Sequence, residues 1–299
     1  MLAMIINGKK IAQEIEEEIK ATLLNMHGRP PCLAVIIVGD HPASQIYVQR
    51  KTQACKNVGI LSLKIHLPSS LSEKELLDKI HALNLNSTVD GILVQLPLPP
   101  HINPSLVNLA ILPEKDVDGF HPFNVGKMLM GETDGFFPCT PLGIRALLAR
   151  SQIEVAGRHV LIAGRSNIVG KPMAAMLMQN NPEGNATVTI AHSRTKKIDS
   201  LTSQADIIIL AMGQPLFLKA DMIKEGVTVI DVGINKINDL SRPAGYRLVG
   251  DADFDHIKDK CAYITPVPGG VGPMTIAMLL SNTLKSYSKR LDLNLQKAQ

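Results

Sequence analysis

Tyr47 and Lys51 are the residues of this chain whose types and spacing first point to chemistry. Pro42 opens the surrounding segment and Gly59 lies just past its end, which predicts a helix between them. Side chains four residues apart are neighbours on a helix. A lysine beside a tyrosine could transfer a proton or act as an electrophile if its surroundings favour the neutral amine. The alternative is a solvated lysine on an amphipathic helix.

Two further polar candidates are Gln95, at the end of a predicted buried strand (residues 91–96), and Asp118, in a later segment. Prolines after this run cannot donate to a sheet, so the strand should end near Leu96 and leave Gln95 at its carboxyl end. Open parallel sheets bind ligands at that end. Asp118 belongs to the segment 115–120, whose composition predicts a loop.

A strand, a glycine turn and a helix are predicted over residues 159–178, with Gly164 and Gly170 in the turn. In this context a dinucleotide pyrophosphate meets the amino end of a helix. Ser166 stands where the usual fingerprint has its second glycine. A tight turn without a ligand is the alternative.

The end of the next predicted strand, residues 187–191, indicates which cofactor is used. The segment after it contains no carboxylate, whereas NAD enzymes usually present one to the ribose. Arg165, Ser193 and Arg194 therefore favour NADP. A later strand closes with residues 231–235, and the backbone around Ile234 could border the nicotinamide. An ordinary strand end with a glycine turn would explain that segment equally well.

The segment 266–275 packs three glycines among three prolines. Glycine permits close approach of backbone to a ligand, and proline stiffens the loop. A structural turn before the last helix is an equal alternative. The candidate ligand contacts here are Pro268, Gly269, Gly270, Val271 and Gly272.

The elements that would position these residues alternate between helix and strand, which favours parallel sheets flanked by helices. With 299 residues, two domains are expected. Thr140 and Pro141 mark a helix start, and we place the boundary there, with residues 1–139 before it and 140–272 after it. The last helix, about 273–299, is expected to return to the first domain.

Composition excludes several classes of protein. The net charge of +4 comes from scattered residues and only 3% of residues are aromatic, which argues against nucleic-acid binding. The four cysteines have no paired spacing, so neither a zinc site nor a disulfide framework is expected. No apolar run approaches the roughly 20 residues of a membrane span, and no secretory signal is formed. We expect a cytoplasmic enzyme without a metal.

Six motifs in one order closely resemble the bifunctional methylenetetrahydrofolate dehydrogenase/methenyltetrahydrofolate cyclohydrolase family, over nearly the whole chain. They are Tyr47-x-x-x-Lys51, the segment 94–99, the segment 115–119, the segment 138–141, the glycine turn 164–172 and the segment 266–273. The resemblance implies an α/β protein of two domains, a folate-binding catalytic domain and a Rossmann-like NADP-binding domain, with the active-site cleft between them. It also implies a homodimer.

The implied activity is oxidation of 5,10-methylenetetrahydrofolate by NADP, followed by hydrolysis of the methenyl product to 10-formyltetrahydrofolate. By similarity Lys51 is the central catalytic group, Tyr47 stacks on the folate, Gln95 orients Lys51, and Asp118 holds the donor edge of the pterin. Val94, Leu96 and the loop 268–272 would also contact folate. The NADP contacts would be Gly164, Arg165, Ser166, Ser193 and Ile234.

Two other functions are compatible with parts of this pattern. Another NADP-dependent oxidoreductase, acting on a small acid or an amino acid, would explain the second domain but would leave Tyr47, Lys51, Gln95 and Asp118 as coincidence. A folate- or nucleotide-binding module would need the same pockets without turnover. Formation of NADPH from methylenetetrahydrofolate distinguishes the three.

Overall fold

The computed structural model describes residues 3–243 and 245–297, with the side chains of residue 43 and of residues 292–297 left aside. Two compact units make up the chain. One contains residues 13–139 and 276–299, and the other contains residues 1–12 and 140–275. We call them the three-stranded unit and the six-stranded unit after their main sheets.

The three-stranded unit has a parallel sheet in the order β3-β2-β4. Its strands are β2 (Cys32–Val38), β3 (Leu61–Leu67) and β4 (Gly91–Val94). Its helices are α2 (Pro42–Val58), α3 (Glu73–Leu85), α4 (Pro104–Ala110) and α5 (Pro122–Met130), together with most of α1 (Gly8–Leu24).

The two buried strands of this unit, β2 and β4, follow from their apolar runs. Every residue of β2 is buried, as expected for a central strand covered by helices on both faces. The helix α2 carries a proline in its first turn and ends at Gly59, which has a φ of 95°. The helix α3 begins with a capping box formed by Ser72 and Glu75. These signals fix where Tyr47, Lys51 and the end of β4 lie.

The six-stranded unit is built on a parallel sheet in the order β1-β11-β8-β7-β5-β6. Its strands are β1 (Met4–Ile5), β5 (His159–Ala163), β6 (Thr187–Ala191), β7 (Ile207–Leu210), β8 (Val227–Asp231) and β11 (Cys261–Ile264). A separate antiparallel hairpin joins β9 (Asn235–Asn238) and β10 (Tyr246–Val249). Its helices are α6 (Cys139–Arg150), α7 (Gly170–Leu177), α8 (Ile198–Thr202) and α9 (Phe254–Ile257). The last helix, α10 (Val271–Lys297), belongs to the three-stranded unit from residue 276 onward.

The α/β fold with parallel sheets agrees with the sequence-based prediction, and several strands keep their predicted bounds. The strand β4 ends at Val94, two residues before the predicted Leu96. The helix predicted to start at Thr140 begins at Cys139. The amino-terminal strand β1 pairs with β11, so residues 1–12 belong to the six-stranded unit and not with the rest of residues 1–139.

The described residues also bear on the excluded classes of site. All four cysteines are buried free thiols. In the described ranges, no group of three or more His, Cys, Asp or Glu side chains is arranged to hold a metal ion. None of the helices described is both long enough and apolar enough to cross a membrane.

Candidate active site

Lys51 is the centre of the candidate site in the three-stranded unit. Its side chain is only 8% exposed, although lysine is rarely buried without a partner. The partner is Gln95, whose Oε1 accepts a hydrogen bond of 2.9 Å from Lys51 Nζ. The Nε2 of Gln95 donates to the carbonyl oxygen of Leu96 at 2.8 Å, which fixes the amide with its oxygen toward the amine. The pairing expected from the sequence is present.

The backbone of this site comes from the end of β4. The Gln95 amide donates to the carbonyl oxygen of Ile36 in β2 at 2.8 Å, so the residue continues the sheet ladder past the strand. Val94 is buried beneath it, and Leu96 is half-buried. The Ser44 hydroxyl donates to the Leu96 carbonyl oxygen at 3.3 Å and ties the start of α2 to this edge.

Tyr47 lies one helical turn before Lys51 on α2 and is half-buried. Because side chains four residues apart share a helix face, the ring and the amine line the same surface. This arrangement offers an aromatic platform beside a hydrogen-bonding amine.

Asp118 is the third polar group of the site. Desolvation raises the pKa of its carboxyl, while the positive charge of Lys51 acts in the opposite direction. The two groups are thus close enough to interact electrostatically. The Cys139 thiol lies within hydrogen-bonding reach of Asp118 and donates to the carbonyl oxygen of Val117 at 3.4 Å. The structure therefore places Gln95 against Lys51, with Asp118 within electrostatic range of the amine.

The loop that carries Asp118 is held by Asp116, which the sequence analysis did not single out. The buried Asp116 carboxylate accepts backbone amide hydrogen bonds from Gly119 and Phe120, both 3.1 Å, and from His121 at 2.8 Å. It also accepts from Asn124 Nδ2 at 2.9 Å. The composition of this loop contained the signal, since an aspartate that starts a glycine turn commonly accepts from nearby amides.

Asn282 of α10 is a second residue that was missed. Its Nδ2 donates to the carbonyl oxygens of Val117, at 2.8 Å, and Phe137, at 3.1 Å. These bonds fix the backbone just before Asp118 and just before Cys139. The partners lie far away in the sequence, so no local signal marked Asn282.

In the six-stranded unit, the glycine turn after β5 fits a phosphate-binding role. Gly164 has a φ of 137°, and a Cβ there would overlap the carbonyl oxygen of Ala211. A Cβ on Gly170 would overlap the carbonyl oxygen of Gly164. The Ser166 hydroxyl accepts from the amide of Val169 at 3.1 Å, and so organises the amino end of α7. The serine that departs from the usual fingerprint thus forms the turn.

The other predicted cofactor contacts lie at the same edge of the sheet, because they follow parallel strands. Neighbours β6 and β7 lie on opposite sides of β5, which makes the end of β5 a topological switch point. Arg165 and Ser193 are exposed there, and Ile234 is 49% exposed beyond β8. Three strand spacings separate β6 from β8 in the sheet, so the ends of these two strands are about 14 Å apart.

The predicted loop 268–272 also belongs to the six-stranded unit. The Gly269 carbonyl oxygen accepts from the amide of Lys9 at 3.0 Å, which fixes the loop against the start of α1. A Cβ on Gly272 would lie 3.8 Å from Ile234 Cδ1. Residues assigned to folate and to the cofactor are therefore neighbours here. Pro268 is exposed, whereas Gly270 and Val271 are buried.

Comparisons with known proteins agree with this arrangement. Residues 6–118 match the tetrahydrofolate dehydrogenase/cyclohydrolase catalytic domain, and residues 138–291 match the NAD(P)-binding domain of the same family. The bifunctional protein FolD of Protochlamydia amoebophila is 65% identical over 98% of this chain and 100% of its own length.

Solved structures give the same result. A bifunctional FolD methylenetetrahydrofolate dehydrogenase/cyclohydrolase from Campylobacter jejuni superposes with a TM-score of 0.91 at 50% identity, covering 96% of this chain and 99% of that one. The Trypanosoma brucei methylenetetrahydrofolate dehydrogenase-cyclohydrolase, complexed with NADP cofactor and inhibitor, has a TM-score of 0.91 at 38% identity, covering 97% and 99%. This chain belongs to the tetrahydrofolate dehydrogenase/cyclohydrolase family of bifunctional FolD enzymes.

Proposed function

We propose that this enzyme uses NADP to oxidise 5,10-methylenetetrahydrofolate to 5,10-methenyltetrahydrofolate and then hydrolyses that product to 10-formyltetrahydrofolate. The observation that carries the proposal is the 2.9 Å hydrogen bond between the buried Lys51 amine and Gln95, beside Tyr47 and Asp118. A dehydrogenase for a small acid or an amino acid would leave this combination as a coincidence.

The three-stranded unit supplies the folate contacts in this proposal. Tyr47 offers a flat ring for stacking on the reduced pterin, and Asp118 offers a carboxylate to its paired N–H donors. Desolvation of Asp118 disfavours its charged form. Charge-assisted hydrogen bonds from the pterin would offset this cost, so the site favours a ligand with donors at that point. Val94 and Leu96 form the apolar border of the same surface.

Lys51 is proposed to act chiefly in hydrolysis. Hydride loss leaves positive charge on a carbon between two nitrogens, and a charged ammonium nearby would oppose that step. A Lys51 that is held away from that carbon avoids this repulsion, and so does a neutral one. It can still donate one N–H to Gln95, which leaves its lone pair free to take a proton from the attacking water. Gln95 would orient the amine for both steps.

The cofactor is proposed to be NADP, which accepts the hydride when bound. Gly164 and Ser166 would receive the pyrophosphate, and Ile234 would border the nicotinamide. The exposed Arg165 and Ser193 match the 2′-phosphate in charge and donors, and the segment after β6 presents no carboxylate that would repel it. The related Trypanosoma brucei enzyme was solved with NADP. The backbone of residues 268–272 is proposed as a further folate contact.

In this assignment residues 1–139, joined by the last helix, serve folate, and residues 140–272 serve NADP. Residues 1–12 pack with the cofactor side, because β1 extends the six-stranded sheet. A homodimer and a cytoplasmic location stay predictions. Light scattering of the purified protein measures the oligomeric state.

The direct test mixes the protein with methylenetetrahydrofolate and NADP while NADPH and methenyltetrahydrofolate absorbance are followed. We expect NADPH to accumulate and the methenyl signal to rise and then decay. Turnover of hydroxy or amino acids without turnover of folate would favour the alternative oxidoreductase. Binding of folate without NADPH formation would indicate a binding module.

A further inference from the structure

Two buried aspartates lie together at the carboxyl edge of the six-stranded sheet. Asp231 is the last residue of β8 and is 2% exposed, and Asp251 follows β10 and is fully buried. Neither took part in the site derived above. Burying carboxylates side by side is unfavourable unless their oxygens are fully hydrogen-bonded. Their partners therefore show what the pair does.

Asp251 joins two loops that come from different strands. Its Oδ2 accepts from the amides of Met212, at 2.8 Å, and Gly213, at 3.0 Å, directly after β7. Its Oδ1 accepts from Asn235 Nδ2 at 2.9 Å, at the start of the hairpin after β8. One side chain thus joins the segment after β7 to Asn235, the residue that follows Ile234.

Asp231 in turn fixes Asp251. Its Oδ1 accepts from the amides of Gly233, at 2.9 Å, and Asp251, at 3.0 Å, and its Oδ2 accepts from the amide of Ala252 at 2.7 Å. Its own amide donates to Thr265 Oγ1 at 2.7 Å, immediately before the loop 266–272. Asp231 thereby links the end of β8, the Asp251 segment and Thr265.

Glycines allow the backbone to pack directly on these carboxylates. A Cβ on Gly233 would overlap the Asp251 carboxylate, and a Cβ on Gly250 would overlap that of Asp231. Gly233 therefore packs directly on the Asp251 carboxylate. The next residue, Ile234, is 49% exposed. A fixed backbone beneath an exposed apolar side chain is suited to receive a flat ring.

We propose that Asp251, supported by Asp231, is a positioning residue that holds the Ile234 segment and the loop after β7 in the geometry required by the nicotinamide half of the cofactor. The inference rests on the proposed binding of NADP at this edge. The carboxylates touch no ligand in this scheme and act through the backbone amides that they hold. Preformed loops bind more tightly because less ordering remains to be done on binding.

The test compares Asp251→Asn and Asn235→Ala with the unaltered enzyme. An asparagine at 251 has one acceptor oxygen where the aspartate has two, so either Asn235 or the Met212 and Gly213 amides lose their partner. We expect the Kd for NADPH, measured by fluorescence titration, to rise about tenfold for Asp251→Asn and about threefold for Asn235→Ala. The KM for methenyltetrahydrofolate in the cofactor-free cyclohydrolase assay should stay within about twofold.

Asp253→Asn is the matched control. Asp253 lies two residues after Asp251, but its carboxylate bonds to the side chains of Lys219 and His256. This variant should leave both readouts within about twofold of the unaltered enzyme. The inference is overturned if the folded variants keep the original Kd for NADPH, or if both readouts worsen equally. Should Asp251→Asn fail to fold, Asn235→Ala decides by the same criteria. Unaltered enzyme that does not bind NADPH would overturn the proposed function as well.

Discussion

Lys51 gains its chemical role from two features that a surface lysine lacks. Burial removes most of its hydration, and a fixed amide oxygen receives one of its N–H groups. Both features restrict the amine to one position, which favours proton transfer to and from a bound molecule. Neighbouring Lys56, five residues later on α2, is exposed. The two lysines therefore form a natural comparison.

We expect Lys51→Ala to lower the cyclohydrolase kcat by on the order of 100-fold or more, because general base catalysis contributes about that much. The dehydrogenase should lose about tenfold or less, since hydride transfer needs no proton from the lysine. Both rates are measured on the same preparation. Lys56→Ala should alter neither rate, and equal losses in both reactions for Lys51→Ala would contradict the assignment.

Arg165 provides the corresponding prediction for the cofactor. Removing a charge-assisted phosphate contact in Arg165→Ala should raise the KM for NADP by about tenfold or more and leave the KM for NAD within about twofold. Steady-state dehydrogenase assays with each cofactor give the two values. Lys171→Ala is the control, because this exposed lysine bonds to Asn167. If NAD and NADP weaken alike, Arg165 does not read the 2′-phosphate.

At the scale of elements, the loop from α4 to α5 shows how flanking structure positions a side chain. Lys115 Nζ donates to the carbonyl oxygens of Leu83, Asn84 and Asn86 at the end of α3. The Asp116 carboxylate accepts hydrogen bonds from the backbone amides of residues 119–121, which follow Asp118. The loop has little regular structure, so its conformation depends on these two side chains.

We therefore expect Asp116→Asn to raise the KM for folate about tenfold in both reactions and to lower the free energy of unfolding by about 1–3 kcal/mol, because amides lose an acceptor. Kinetics and urea denaturation provide the two readouts, and the Kd for NADPH should not change. Asp78→Asn, an exposed carboxylate paired with Lys74 on α3, should be near neutral. A rise in the NADPH Kd equal to that in the folate KM would show a general loss of structure.

Much of the fold and of the candidate site could be predicted from the sequence. Tyr47 and Lys51 are one helical turn apart, and β3, β5 and β6 have the bounds that their apolar runs predicted. Proline and glycine marked the ends of α2 and β4 to within two residues.

Residues whose bonding partners lie far away in the sequence could not be predicted. Asn282 bonds to a carbonyl 165 positions away, and Asp251 bonds to an amide 39 positions away. Neither pairing leaves a local pattern. The site residues were readable because their spacing is local or their motif is specific, whereas the residues that hold them in place depend on the folded backbone.

Across the whole molecule, both units use the same physical device. A buried carboxylate accepts several backbone amides and fixes a loop that carries a functional side chain, as Asp116 does for Asp118 and Asp251 for Ile234. Burial raises the pKa of the Asp116 and Asp231 carboxyls, because it makes their charged forms more costly. This cost gives the protein a pH dependence of stability that can be assigned to individual residues.

Asp231 provides the clearest case, since burial, with the nearby Asp251 charge, raises the pKa of its carboxyl from 3.8 to about 6. The folded chain therefore holds this proton more tightly than the unfolded chain, and its stabilising effect is lost as pH rises from about 4 through 6. The difference corresponds to roughly 3 kcal/mol. Asp231→Asn cannot titrate, so the stability of the unaltered protein relative to this variant should fall by about that amount between pH 4 and pH 7. Urea denaturation across this range measures it, and a difference independent of pH would show that Asp231 is ionised throughout.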